Sequence, residues 1–310
     1  MSVPDPLEAR LSFFTGKGGV GKSTVVAALA LEARRRRRRP LVVELGHRAS
    51  MQAVFGVPDV GHAPREVAPG VFATNIDLDE ALRDYVADHV PVRALASRIA
   101  KSPSLARFFE AAPAVGEVLT LQRLEQLLAE VDEAGRPRFD PILVDFDATG
   151  HALMFLELPR VFEGLVTSGP IRRLLDGFAA LLSDDERTRL HLVTLPGRLP
   201  VQETLELYER IRTEHAVRLG ALFVNRVPAP PLPPDAADLL APLRARIAPD
   251  TPAGRDLALL ALEHERYRRL RAQIARLEAV ALPRVELPLV RGAVGVEALA
   301  ELGRIARGAA

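Results

Sequence analysis

Residues 11–31 restrict the fold more than any other stretch. Leu11-Ser-Phe-Phe-Thr15 is a short apolar run, Gly16-Lys17-Gly18-Gly19-Val20-Gly21-Lys22-Ser23-Thr24 is a glycine-rich turn, and Val25 to Leu31 is apolar at helical period. Strand, glycine loop and helix in that order make a phosphate-binding loop. Glycines let the loop amides converge on phosphate oxygens, and the helix N-terminus adds partial positive charge. Lys22 is expected to reach the β- and γ-phosphates, and the Ser23 hydroxyl to ligate magnesium. Gly16, Gly18, Gly19, Val20, Gly21, Lys22, Ser23 and Thr24 are therefore the candidate nucleotide-binding residues.

The helix is expected to run from about Lys22 through Arg34–Arg39 and to stop at Pro40, which cannot continue it. Six consecutive arginines read either as a solvated helix end favoured by the macrodipole or as a patch for anionic lipid or nucleic acid. Over the 310 residues the charges nearly cancel, 41 basic against 40 acidic. Nothing in the overall balance therefore demands a polyanionic partner. The chain has no cysteine, which excludes disulfides, thiolate zinc and iron–sulfur clusters. The seven histidines have no H-x-x-x-H or H-E-x-x-H spacing, so a catalytic transition metal is not expected. No G-x-S-x-G elbow for a serine hydrolase is present. The first residues lack a charged-then-apolar leader pattern and no 18-residue apolar run occurs, so a cytoplasmic location is expected.

Further strands are expected at Leu41–Glu44, Val71–Asp77, Asp140–Asp145, Leu190–Leu195, Ala221–Asn225 and Val285–Leu289, with helical patterns between them. That alternation implies an α/β fold with a mostly parallel central sheet flanked by helices. Residues 78–132 and 152–186 read as helical insertions, either a subdomain offering a partner or client surface or a layer over the sheet. Residues 228–236 read as an extended proline-rich spacer. Asp145, closing an apolar strand, is the expected second half of the nucleotide site because such a carboxylate holds a magnesium-bound water. Phe146 to His151 then reads as a loop that responds to the γ-phosphate.

The K-G-G-x-G-K-[ST] form of the loop, with Lys17 ahead of the second lysine, resembles the deviant Walker A loop of ParA- and MinD-like ATPases, nitrogenase-type reductases and ArsA-type ATPases. Asp145-Phe-Asp147-Ala-Thr149-Gly150-His151 is similar to the D-T-A-P-T-G-H element of the ArsA family. Pro200-Val-Gln-Glu203-Thr204, Val224-Asn225-Arg226-Val227, Phe109 to Glu117 and Pro288 to Leu299 resemble further elements of that family. The resemblance runs over roughly residues 11–302 and implies a single P-loop NTPase domain with a helical subdomain, binding ATP and Mg2+. It implies that Lys17 crosses a dimer interface to the partner's nucleotide. Lys17, Lys22, Asp145 and Asp147 then form the catalytic set, Ser23, Glu44 and Asp145 the metal set, Thr149, Gly150 and His151 the γ-phosphate sensor, and Asn225 and Arg226 the adenine side.

The sequence also departs from that pattern. The family's first switch reads D-P-A-H-S and its aspartate orients the attacking water, whereas the corresponding position here is Gly46. A glycine cannot position water, and such groups are worth around 10²–10⁴-fold in rate, so slow hydrolysis is expected. Asp147, Glu44 and His47 are the nearby substitutes, in that order. Without cysteine, neither the family's arsenite site nor a zinc-clamped dimer is available. Three function classes follow: a nucleotide-switched homodimer or heterodimer acting on a client, a hydrolysis-deficient structural subunit, and a MinD- or ParA-like ATPase peripheral to a membrane or nucleic acid through Arg34–Arg39.

Overall fold

The computed structural model describes residues 5–45, 50–89, 113–147, 149–164, 166–292 and 294–307. Strands β1 (Leu11–Thr15), β2 (Leu41–Leu45), β3 (Arg65–Ala68), β4 (Val71–Asn75), β5 (Ile142–Phe146), β6 (Thr188–Thr194), β7 (Leu219–Val227) and β8 (Arg284–Pro288) form one sheet. Its order is β3-β4-β2-β5-β1-β6-β7-β8. Neighbours are parallel except β3 with β4. The helices are α1 (Lys22–Arg35), α2 (Ser50–Phe55), α3 (Leu78–His89), α4 (Pro113–Ala129), α5 (Thr149–Val161), α6 (Pro170–Ser183), α7 (Arg198–Glu214), α8 (Pro234–Ala237), α9 (Leu240–Arg246), α10 (Pro252–Arg276) and α11 (Val296–Ala306).

Successive strand side chains point to opposite faces, and here they supply two cores. Leu11 and Phe13, Leu41 and Val43, and Ile142 and Val144 join an apolar cluster with Leu121 and Leu124 of α4, Phe155 of α5, Phe178 of α6 and Val201 of α7. Phe14, Val42 and Leu143 face the other cluster, with Val25, Val26 and Leu29 of α1 and Leu299 and Leu302 of α11. Helices α4, α5 and α6 thus lie over the sheet as a covering layer and share its core. Phe13, fully buried against the rings of Phe146 and Phe155, is the kind of position where truncation to Ala costs about 3–5 kcal/mol.

β1 lies between β5 and β6, where the direction of chain progression across the sheet reverses. Ligands of open parallel sheets bind outside the strand carboxyl ends at such a point. The loop from Gly16 to Gly21 starts there, and β2 and β5 end beside it.

Several sequence expectations shift. α1 stops at Arg35, before the middle of the arginine run. Arg38 N donates to Ala33 O and Arg37 N to Arg34 O, with Arg37 at φ 63°; this pair of bonds around a left-handed residue is a Schellman motif. The helix is ended by its own carbonyls, not by Pro40. β3 is a four-residue edge strand that opens on two exposed charged residues, too short to show in a hydrophobic pattern. Thr149, Gly150 and His151 form the first turn of α5, not part of a loop continuing from Phe146, because the link from β5 is shorter than the expected segment. The proline-rich spacer ends in the short helix α8. Gly46 and His47, and residues 90–112 of the expected helical insertion, Phe109 among them, lie outside the described residues.

Candidate functional site

The loop folds by close backbone approach. A Cβ on Gly16 would stand 2.1 Å from Val193 O of β6, and one on Gly21, at φ 90°, would stand 2.3 Å from Asn225 Nδ2. Both positions therefore require glycine. Asn225, buried at the end of β7, donates from Nδ2 to Val20 O at 3.0 Å, and its Oδ1 accepts from Arg226 N at 2.9 Å. Its amide thus ties the loop to β7. Arg226 is held at φ 56°, a conformation costly for a side-chain-bearing residue.

Lys22 opens α1 and is buried. Its ammonium donates to Gly16 O at 3.0 Å and Lys17 O at 3.2 Å, folding across the loop it follows. Lys17 points the other way, to Glu203 of α7, with Nζ 2.6 Å from Oε1.

Next to the loop is a cavity of about 320 Å³ lined by Gly19, Gly21, Lys22, Ser23, Thr24, Glu44, Asp145, Asp147 and Arg226. Glu44 and Asp145 sit at paired positions on neighbouring strands β2 and β5. Burial, helped by the charge of Asp145, pushes Glu44 up to about 7, against the Met51 amide that donates to its Oε1 at 3.0 Å. Burial pushes Asp145 up to about 6, against the Ser23 hydroxyl and the Lys22 charge. Glu44 Oε2 and Asp145 Oδ1 are buried without a hydrogen-bond partner. Two unsatisfied carboxylate oxygens beside a serine hydroxyl form a hard, anionic donor set, which suits Mg2+. The residues present therefore fit that ion.

The remaining sensor residues divide. Thr149 and Gly150 face Gly16, Lys17 and Gly18 across a second groove, of about 490 Å³, that also contains Glu203 and Arg210. His151 lines a third cavity of about 780 Å³ with Glu117. That cavity is the largest of the three, but its lining includes Asp59, Asp77, Asp79 and Glu80, the wrong charge for phosphate. The loop, Ser23, Glu44, Asp145, Asp147 and Arg226 come together; His151 stands apart from them. Glu203 is the functional-site residue that the sequence left without a role, and its placement near a loop lysine could be found only from the fold.

The family model for ArsA-type ATPases, described as an anion-transporting ATPase, matches residues 9–176. The chain is similar to ATPase BagA of Mycobacterium tuberculosis, 33% identical over 94% of this chain and 91% of that protein. The Putative ATPase Mb3704 of Mycobacterium bovis matches at the same identity and coverage. The arsenical pump-driving ATPase of Acidiphilium multivorum is 31% identical over 69% of this chain and 39% of its own length.

Proposed function

The chain belongs to the ArsA-type family of ATPases, and from that premise we propose that it is an ATP-binding, nucleotide-switched ATPase that works as a dimer. The observation that carries this reading is the cavity beside the loop, where Ser23, Glu44 and Asp145 converge with two carboxylate oxygens unsatisfied. In this reading the amides of Gly18 to Thr24 take the phosphate oxygens at the start of α1, where the helix dipole favours negative charge. Lys22, already aligned along the loop, turns its ammonium from the carbonyls of Gly16 and Lys17 to the phosphates. Ser23, Glu44 and Asp145 would hold Mg2+, which when bound offsets phosphate charge. Lys17 leaves Glu203 to reach the partner's nucleotide, and Thr149 and Gly150, at the N-terminus of α5, respond to the γ-phosphate. Asp147 positions water in place of the family's switch aspartate, and turnover is slow because residue 46 is glycine. The helices of segments 78–132 and 152–186 present the surface that a client or partner reads.

The arginine run does not favour a membrane or nucleic-acid role. Arg35 and Arg36 pair with the buried Glu32, Arg36 also with Asp5, Arg38 with Asp140, and Arg34 donates to Pro69 O. Arg39 stacks over Phe72 and Phe139. No helix among the described residues is long and apolar enough to cross a membrane.

The test is ATP turnover by the purified chain with and without Mg2+, together with its mass in solution with ATP. Magnesium-dependent turnover lost in Lys22→Ala, with an ATP-dependent doubling of mass, supports the reading. Tight ATP binding without turnover, restored in Gly46→Asp, supports a structural subunit instead. Absence of ATP binding sinks both.

A further inference from the structure

Glu157 lies on α5, while Glu214 ends α7 and His215 follows it directly. One ligand atom from each of the three lies within 4.8 Å of the other two. The His215 side chain is 3% exposed, and its Nε2 stands 3.8 Å from Glu157 Oε1. That nitrogen is buried and has no hydrogen-bond partner, a condition native folds carry only where something else satisfies the group or where it has a task.

The surrounding charges show what this cluster accepts. Arg210 donates from Nη2 to Glu157 Oε1 at 3.0 Å and from Nε to Glu214 Oε2 at 3.1 Å. Arg160 reaches the Glu214 backbone carbonyl at 3.4 Å. A cation therefore already bridges the two carboxylates, and each carboxylate has a second oxygen outside these contacts. Burial lowers the pKa of His215, against the raising effects of Glu157 and Glu214.

We propose that Glu157, Glu214 and His215 hold a divalent cation of the zinc class, independent of the nucleotide site. One imidazole nitrogen and two carboxylates are a three-ligand set that zinc completes with water. The absence of cysteine and the spacing of the histidines spoke against a zinc-clamped dimer and a catalytic transition metal; this donor set uses neither thiolates nor a pair of histidines. Its ligands come from two helices, so no sequence spacing reveals it. A bound ion ties α5 to the end of α7 and competes with Arg210, which also lines the groove of Lys17 and Glu203. Occupancy would thereby change the charge of that groove.

The test is a calorimetric titration of zinc sulfate into the chelator-treated full chain, without nucleotide and in excess magnesium to cover Glu44 and Asp145. One zinc per chain is expected, with affinity lowered about tenfold or more by His215→Ala and by Glu157→Gln. Cobalt(II) should give the visible bands of a four-coordinate nitrogen and oxygen site, lost in both variants. Glu157→Gln is nearly isosteric on an incompletely buried side chain, so it remains informative if His215→Ala disturbs folding. Lack of stoichiometric zinc binding by the wild-type chain, or binding left unweakened by either substitution, overturns the proposal.

Discussion

Lys17 Nζ and Glu203 Oε1 lie 2.6 Å apart, joining the phosphate loop to α7 across 186 residues of sequence. Both side chains are more than a third exposed, so the pair is worth only about 0.2–1 kcal/mol. A contact of that size holds the lysine when nothing else competes and releases it when something does. Glu203→Gln should therefore strengthen ATP-dependent dimerisation up to about fivefold, measured by sedimentation with a non-hydrolysable ATP analogue. An unchanged or weaker dimer would remove the idea that Lys17 is in waiting.

Glu44 and Asp145 face each other from adjacent strands, buried and each with an oxygen unsatisfied. Removing one charge should relieve the empty site and damage the loaded one. Glu44→Gln is expected to stabilise the nucleotide-free chain by about 1 kcal/mol while weakening the magnesium dependence of ATP binding. Thermal melting without ligand and ATP titration with and without Mg2+ check the two halves. A variant less stable than wild type in the free state contradicts this account.

His191 on β6 is fully buried, stacked on Phe14 with ring centroids 4.9 Å apart, and its Nδ1 accepts from Ala221 N at 3.0 Å. Burial pushes its pKa down to about 3, with help from Arg189. Between that value and the unfolded value near 6.5, the unfolded chain binds the extra proton, so stability falls as pH falls. From pH 7 to 5 the loss from this one group is about 2 kcal/mol. His191→Asn, which keeps a short acceptor for Ala221, should lose correspondingly less stability over that interval in urea melts. A difference between the two proteins that does not change with pH would show that His191 does not titrate this way.

Arg37 adopts a left-handed backbone at φ 63° in the turn that closes α1. A glycine there avoids the steric cost of Cβ. Arg37→Gly is expected to stabilise the protein by about 0.5–1 kcal/mol, a rise in Tm of about 1–2 °C. Destabilisation would mean that the arginine side chain contributes more than its backbone costs.

What the sequence revealed was what is local in it. Gly16 to Thr24 carries strand, loop and helix in consecutive residues, and Asp145 is marked by the four apolar residues before it; both stand where the spacing requires. The first turn of α5 was less legible, because a Thr-Gly-His triplet is weak helix-forming sequence and the helix starts there through packing of Ala152, Phe155 and Leu156 behind it. Pairings across the fold were invisible. Nothing in local pattern joins Lys17 to Glu203, Asn225 to Val20 or Glu157 to His215, since each depends on strand order and helix placement. The arginine run was half legible for a related reason: it closes α1 as an exposed helix end, but counting charge along the chain does not show that Glu32, Asp5 and Asp140 pair with it.

That wiring has a practical side. A hexa-arginine tag would normally govern how a protein behaves on heparin or a cation-exchange resin, with elution late in the salt gradient. Here the guanidiniums of Arg36 and Arg38 fasten the residues ahead of β1, the end of α1 and Asp140, two residues before β5, to one another. The folded chain should elute early, as expected for a formal charge of +1; late elution would serve as an assay for unfolding, reporting the moment the stitching opens.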